Sequence, residues 1–309
     1  MRDNTNVPPA LGATACAATL TLALTGCGGS SPSADSAEPA GADQKVQVAA
    51  SFYPLQWVTE QVAGEAAEVM SLTPPGAEPH DLELGPREVA AVGEANLVVY
   101  LSGFQPAVDE AVEQEAADSA LDVTQAAQLV RTTSGTDPHF WLDPARLADV
   151  GDAVAGRLSR IDGAGSDSAG YRARAADLRA RLEALDAEFR AGLSGCAGTD
   201  LVTSHTAFGY LAERYGMQQV GITGLTPDAE PSPQDLAKVA AHVRANDVHT
   251  IYYETLVSPD VADTVARETG AATAVLDPLE GLTGDSAGDD YVSVMRSNLA
   301  TLRDGQPCQ

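Results

Sequence analysis

The chain holds five histidines, and three of them stand where a metal could be held. His80 ends the stretch Pro74-Pro75-Gly76-Ala77-Glu78-Pro79. His139 lies in Asp137-Pro138-His139-Phe140-Trp141-Leu142-Asp143, and His205 follows Leu201-Val202-Thr203-Ser204. Proline and glycine leave a loop few backbone conformations, so His80 and His139 are presented by stiff segments. One loop histidine alone is ordinarily a structural or solvent-facing residue. Three of them at strand-to-helix loops make a cleft site, and neutral imidazoles converging there suit a borderline divalent metal, zinc first. A fourth donor is expected from Asp277, in Leu276-Asp277-Pro278-Leu279-Glu280-Gly281, which ends a strand candidate and is fixed by the following proline. The competing role for Asp277 is a turn or helix-capping carboxylate. Glu254, at the end of Ile251-Tyr252-Tyr253-Glu254, is a second candidate, as a ligand or as the acceptor of an imidazole N–H. Glu83, three residues after His80, is a further such acceptor. His242 falls off the apolar stripe of its helix and reads as a surface residue, as does His249.

These loops need a scaffold, and the hydrophobic pattern supplies one. Short β-rich runs at 46–51, 69–73, 96–101 and, more weakly, 120–123 alternate with helical patterns at 55–63, 86–93 and 105–115. The rhythm repeats with strands at 201–204, 219–223, 250–254 and 272–276 and helices at 207–215, 232–245, 259–269 and 291–302. Such alternation predicts an α/β fold whose mostly parallel sheets are flanked by helices, with ligands gathered at the carboxyl ends of the strands. Between the halves, Tyr171, Ala175, Leu178, Leu182, Leu185 and Phe189 recur every three or four residues, the stripe of one long amphipathic helix. A helix of about 25 residues is roughly 38 Å long and can run along both lobes. The expected organisation is a leader at 1–26, a tether at 27–45, a first α/β lobe at 46–165, a connecting helix at 166–194 and a second α/β lobe at 195–309, with the metal site in the cleft between lobes.

The formal net charge is −26, which argues against nucleic acid as a partner, because phosphate binding needs a basic surface. With 44% hydrophobic residues, the chain can still build a core. The apolar segment 10–24 is short for a membrane span but suits the core of a secretory signal. It ends in Leu24-Thr25-Gly26-Cys27, which matches a bacterial lipoprotein cleavage box, so Cys27 is expected to carry lipid. The small, polar stretch 28–43 cannot bury enough apolar surface to fold and reads as a flexible tether. The chain is therefore expected at the outer face of a membrane, held by lipid and acting as a monomer. Disulfides persist in an exported protein, so Cys196 and Cys308 are expected to pair, two separate buried thiols being the alternative.

The segments PPGAEPHDLELGP, DPHFWLDP, TSHTAFGYLAERYG and LDPLEGLT, in this order, resemble the zinc/manganese class of substrate-binding lipoproteins of ABC transporters. The resemblance covers nearly all of the chain from Val46 to Cys308. It implies two α/β lobes, a long backbone helix and a metal buried at their interface. His80, His139 and His205 match the family's histidine ligands, and Asp277 matches its carboxylate in the second lobe. Members that resemble manganese transporters tend to carry Glu at the third position, so His205 implies Zn²⁺ over Mn²⁺. Many zinc members also carry a His-rich loop; the corresponding stretch here, 115–136, has no histidine.

Three mechanisms follow. The resemblance implies a receptor that captures Zn²⁺ and delivers it to an ABC permease served by a cytoplasmic ATPase, and it implies no enzyme activity. A zinc hydrolase would need an open coordination position and Glu254 or Glu280 as general base, yet no HExxH spacing occurs. The remaining alternatives are a manganese receptor of the same family and a lipoprotein adhesin stabilised by its metal.

Overall fold

A computed structural model describes residues 45–132, 135–161, 167–196 and 198–308. The leader, Cys27 and nearly all of the tether lie outside the described residues. The first sheet is built from β1 (Val46–Ala50), α1 (Tyr53–Ala63), β2 (Ala67–Ser71), α2 (Pro86–Glu94), β3 (Leu97–Tyr100), α3 (Pro106–Glu115) and β4 (Ala120–Asp122). Its strand order is β2-β1-β3-β4, and every pairing is parallel. Both faces are covered: Val48, Ala50, Leu97 and Val99 pack toward α1, while Ala49, Val98, Val92 and Val112 form a separate apolar cluster on the other side. Buried strands of this kind read as continuous apolar runs, which is why Leu97-Val98-Val99 was legible as a strand.

A short helix, α4 (Thr124–Ala127), and the two-residue strands β5 (Arg131–Thr132) and β6 (Gly135–Thr136), paired antiparallel, lead to the segment that carries His139. None of these three was anticipated, because pieces of two to four residues carry no periodicity. A single turn of tight helix, Phe140–Leu142, then buries its three apolar side chains and starts α5 (Pro144–Ile161).

Helix α6 (Ser168–Gly192) buries Tyr171, Ala175, Leu178, Leu182, Leu185 and Phe189, the stripe expected from the sequence. Full burial of each leucine is worth roughly 1.5–3 kcal/mol. α6 packs on α5 and α1 of the first half and on the final helix of the second. At Gly151 of α5, a side chain would press within 3.2 Å of Leu178, so glycine allows the two long helices to approach closely. The stripe belongs to one apolar core that includes Phe52 and Trp141 from the first half and Leu276, Tyr291 and Met295 from the second.

The second sheet follows with β7 (Asp200–Thr203), α7 (Gly209–Tyr215), β8 (Gln218–Gly221), α8 (Pro233–Ala245), β9 (Thr250–Tyr253), α9 (Asp260–Thr269), β10 (Ala272–Val275) and α10 (Tyr291–Gly305). Its order is β10-β9-β7-β8, again all parallel. Chain order reverses between β7 and β9, the point where such sheets open a crevice at their carboxyl ends. At the opposite end, a disulfide joins Cys196 to Cys308 across 112 residues of sequence. Among the described residues, no helix is long and apolar enough to cross a membrane.

Candidate metal centre

Four side chains from separate loops, those of His80, His139, His205 and Glu280, reach one point. His80 sits in the loop between β2 and α2, and its ring meets the edge of Phe104 at 4.7 Å between centroids. Its backbone N–H donates to Glu78 Oε1 at 3.0 Å. His139 precedes the Phe140–Leu142 turn and is fully buried. His205 follows β7 at the switch point and is also fully buried, and Glu254 ends the neighbouring strand β9. Glu280 lies in the loop after β10, with no exposed surface.

His80, His139, His205 and Glu280 offer one ligand atom each, all within 4.8 Å of one another. Glu280 Oε1 stands 3.3 Å from His80 Nε2, 3.1 Å from His139 Nε2 and 3.6 Å from His205 Nε2. His139 Nε2 lies 3.3 Å from both His80 Nε2 and His205 Nε2. A tetrahedron whose corners lie about 2.0–2.1 Å from its centre has edges of about 3.3–3.4 Å, the shell of a zinc ion with nitrogen and oxygen ligands. Five of the six donor pairs, at 3.1–3.6 Å, lie close to that figure, and the sixth, His80 with His205, lies within 4.8 Å.

Outer carboxylates fix which way two of the imidazoles face. His139 Nδ1 lies 2.8 Å from Asp137 Oδ1, and His205 Nδ1 lies 2.5 Å from Glu254 Oε1. Each carboxylate accepts the Nδ1–H, which leaves the Nε2 lone pair directed at the common centre. Lone pairs and a carboxylate oxygen packed this closely repel unless a cation lies between them. Without a metal, protons take that place. Burial lowers the His205 pKa, but the carboxylates of Glu254 and Glu280 outweigh it and push the value up to about 10. His139 shifts upward in the same way, its burial outweighed by Asp137 and Glu280. Burial raises the Glu280 pKa, yet hydrogen bonds from the three imidazoles hold it well below the usual carboxylate range. Glu78, buried beside the charge of Glu280, is raised to about 8.

The three expected histidines come together, but the expected fourth donor does not join them. Asp277 Oδ1 instead accepts the backbone N–H of Leu279 at 2.8 Å. Leu279 adopts a left-handed backbone, φ 60°, and this turn swings Glu280 into the site in place of Asp277. Asp277 thus takes the competing role of a turn carboxylate, committed to the backbone two residues on, and the next carboxylate, Glu280, supplies the fourth donor. Glu254 braces His205, one of the two roles open to it. Glu83 is exposed, and the brace on His139 is Asp137. His242 is half-buried and pairs with Asp200 at 2.7 Å, while His249 is exposed.

Residues 48–305 match the family profile described as zinc-uptake complex component A, periplasmic (ZnuA). The chain is similar to the high-affinity zinc uptake system protein ZnuA of Bacillus subtilis (strain 168), with 32% identity over 303 residues, 92% of this chain and 93% of that protein. Its fold is similar to the Zn(II)-bound ZnuA-like domain of Streptococcus pneumoniae AdcA, with a TM-score of 0.72 and 34% identity, covering 85% of this chain and 99% of that one. It is similar as well to the laminin-binding protein Lmb of Streptococcus agalactiae, described as a bifunctional protein with adhesin and metal transporting activity. That match has a TM-score of 0.76 and 30% identity over 85% of this chain and 99% of the other. The chain spans about half, 56%, of the length of the streptococcal zinc-binding AdcA proteins that it also matches. A match that runs from β1 to the end of α10, through both sheets and every donor of the site, makes this chain a member of the ZnuA family.

Proposed function

We propose that the chain is the extracytoplasmic receptor of a zinc importer, and that it holds Zn²⁺ as cargo through His80, His139, His205 and Glu280. The observation that carries this reading is the near-tetrahedral spacing of three Nε2 atoms and one carboxylate oxygen in a buried cleft. Four protein donors fill a tetrahedral shell. A hydrolytic zinc keeps one position for water, so the arrangement favours holding a metal over activating a nucleophile. Three neutral imidazoles and one carboxylate leave a bound zinc with about one net positive charge, which Asp137 and Glu254 offset from behind, so burial of the ion is tolerable. Imidazole is also the donor that suits zinc, whereas harder oxygen-rich shells suit manganese.

Delivery requires the shell to open. His80 and His139 come from the first half of the chain, His205 and Glu280 from the second. Docking on a permease with its cytoplasmic ATPase would release the ion if it parts these two pairs. A lipid on Cys27, beyond the described residues, would keep the body at the outer face of the membrane, and one acyl chain alone would hold it only marginally.

The deciding experiment is a competitive titration of the metal-free protein with Zn²⁺ and Mn²⁺, with bound metal counted. One tightly held Zn²⁺ per chain, displaced poorly by Mn²⁺, is the expected result. Tighter binding of Mn²⁺ would overturn the zinc assignment. The His205→Glu variant should shift preference toward Mn²⁺, and no shift would remove His205 from the shell.

A further inference from the structure

The loop that presents Glu280 is held from both halves of the molecule. Trp141 belongs to the Phe140–Leu142 turn beside His139, and its indole N–H donates to the carbonyl of Pro278 at 2.7 Å. Trp141 is itself fixed, since its carbonyl accepts the hydroxyl of Tyr291 at 2.6 Å and its ring packs against Phe52 and Phe140. On the other side, Asn298 of α10 accepts the Asp277 N–H at 3.0 Å and donates to the Asp277 carbonyl at 2.7 Å. Between these clamps stands Leu279, whose φ of 60° is an outlier for a bulky side chain. Such a backbone persists only where its surroundings over-determine it, and strain of this kind is characteristic of ligand clamps.

From the juxtaposition of these clamps with the left-handed Leu279, we infer that Trp141 and Asn298 are positioning residues that hold Glu280 against the imidazoles. The inference rests on the four-donor reading above. With either clamp removed, the strained turn relaxes and the carboxylate withdraws. The imidazoles of His139 and His205, braced separately by Asp137 and Glu254, stay in place. Because the Trp141–Pro278 bond crosses from one half of the molecule to the other, parting the halves breaks it in the same movement that frees Glu280.

The test is stopped-flow release of Zn²⁺ from the full chain into excess chelator, together with the rate of zinc binding. Trp141→Phe keeps an aromatic ring but lacks the N–H, and Asn298→Ala removes both bonds to Asp277. Each is expected to speed release by about tenfold, the lower end of the effect of outer supporting partners on metal affinity, with the binding rate within about twofold because the collision step is untouched. In a Glu280→Ala background neither substitution should speed release further, since the group they position is gone. The same acceleration in that background would overturn the inference, because Trp141 would then act through His139 or through packing. Unchanged release in both single variants would overturn it as well. Should Glu280→Ala itself leave release unchanged, the four-donor reading falls together with the inference; if Glu280→Ala speeds release while the clamps do not, only the inference falls.

Discussion

His205 and Glu254 meet across the carboxyl ends of neighbouring strands β7 and β9, with Nδ1 2.5 Å from Oε1 and both side chains buried. Ser204 Oγ donates to the same oxygen at 2.5 Å, so the carboxylate is oriented by a residue adjacent to the one it supports. Glu254→Gln keeps an acceptor for the Nδ1–H but removes the charge that makes Nε2 a better donor. Zinc affinity should fall by about 10–100-fold, as read by competition with a chelator at pH 7. An unchanged affinity would mean that Glu254 only fills space.

Protons compete with the metal, and the direction of each shift sets the pH window. His205 is raised to about 10 in the metal-free fold, against about 6.5 in an unfolded chain. Its contribution to metal-free stability is therefore fully present below about pH 6.5 and is lost as pH rises toward 10. Glu280 is depressed, so its contribution is present above the ordinary Glu value near 4.3 and is lost as pH falls through its lower folded value. The metal-free protein should therefore melt at lower temperature as pH rises from about 6.5 to 10. Zinc needs the deprotonated imidazole, so its apparent affinity should rise over the same range. This moves the competition upward from the ordinary histidine range that the sequence alone would suggest. Titration with Zn²⁺ in weak buffer at pH 8 should release about one proton per ion from His205, and zero protons released would refute the pairing described for it.

Glu280 and Asp277 make a sharp contrast. Glu280→Gln removes the one charge in the shell, and zinc affinity should drop by more than the about 100-fold upper end seen for outer partners. Asp277→Asn retains an oxygen that can accept the Leu279 N–H, so affinity should stay within about tenfold of the unsubstituted protein. Parallel calorimetric titrations of the two variants decide the matter. The reverse ranking would return Asp277 to the shell and remove Glu280.

Much of this was legible in the sequence because the relevant patterns are local or periodic. The stripe from Tyr171 to Phe189 is a period, and the buried Leu97-Val98-Val99 run is a composition. His80, His139 and His205 were conspicuous because histidine is scarce in this chain and proline or a strand end fixes their loops. What escaped depends on backbone direction over two or three residues. Nothing in the letters Asp-Pro-Leu-Glu states that Leu279 takes a left-handed turn, yet that turn decides which carboxylate enters the cleft. Asp137 was overlooked for a similar reason, since a brace two residues before a ligand folds back only through the particular turn adopted there. The pairing of His242 with Asp200 joins a helix to the start of a strand, a contact that periodicity along one helix cannot reveal.

The disulfide and the candidate metal ligands His205 and Glu280 lie at opposite ends of the second sheet, and this separates their effects. Cys196 precedes β7 and pairs with Cys308 beyond α10, whereas His205 follows the carboxyl end of β7. Closing a loop of 112 residues restricts the unfolded chain, a restriction worth about 4–5 kcal/mol in the chain-entropy account. Replacing both cysteines with serine should therefore lower the resistance of the metal-free protein to urea by several kcal/mol. Zinc affinity at pH 7 should be nearly unchanged, because β7, β9 and the loops beyond them remain held by the core shared with α6 and α10. A large loss of zinc affinity in that double variant would show that the C-terminal end of α10, and with it the Asn298 clamp, depends on the disulfide for its position. A loss of stability below about 1 kcal/mol would show that the reduced, unfolded chain already keeps these ends close.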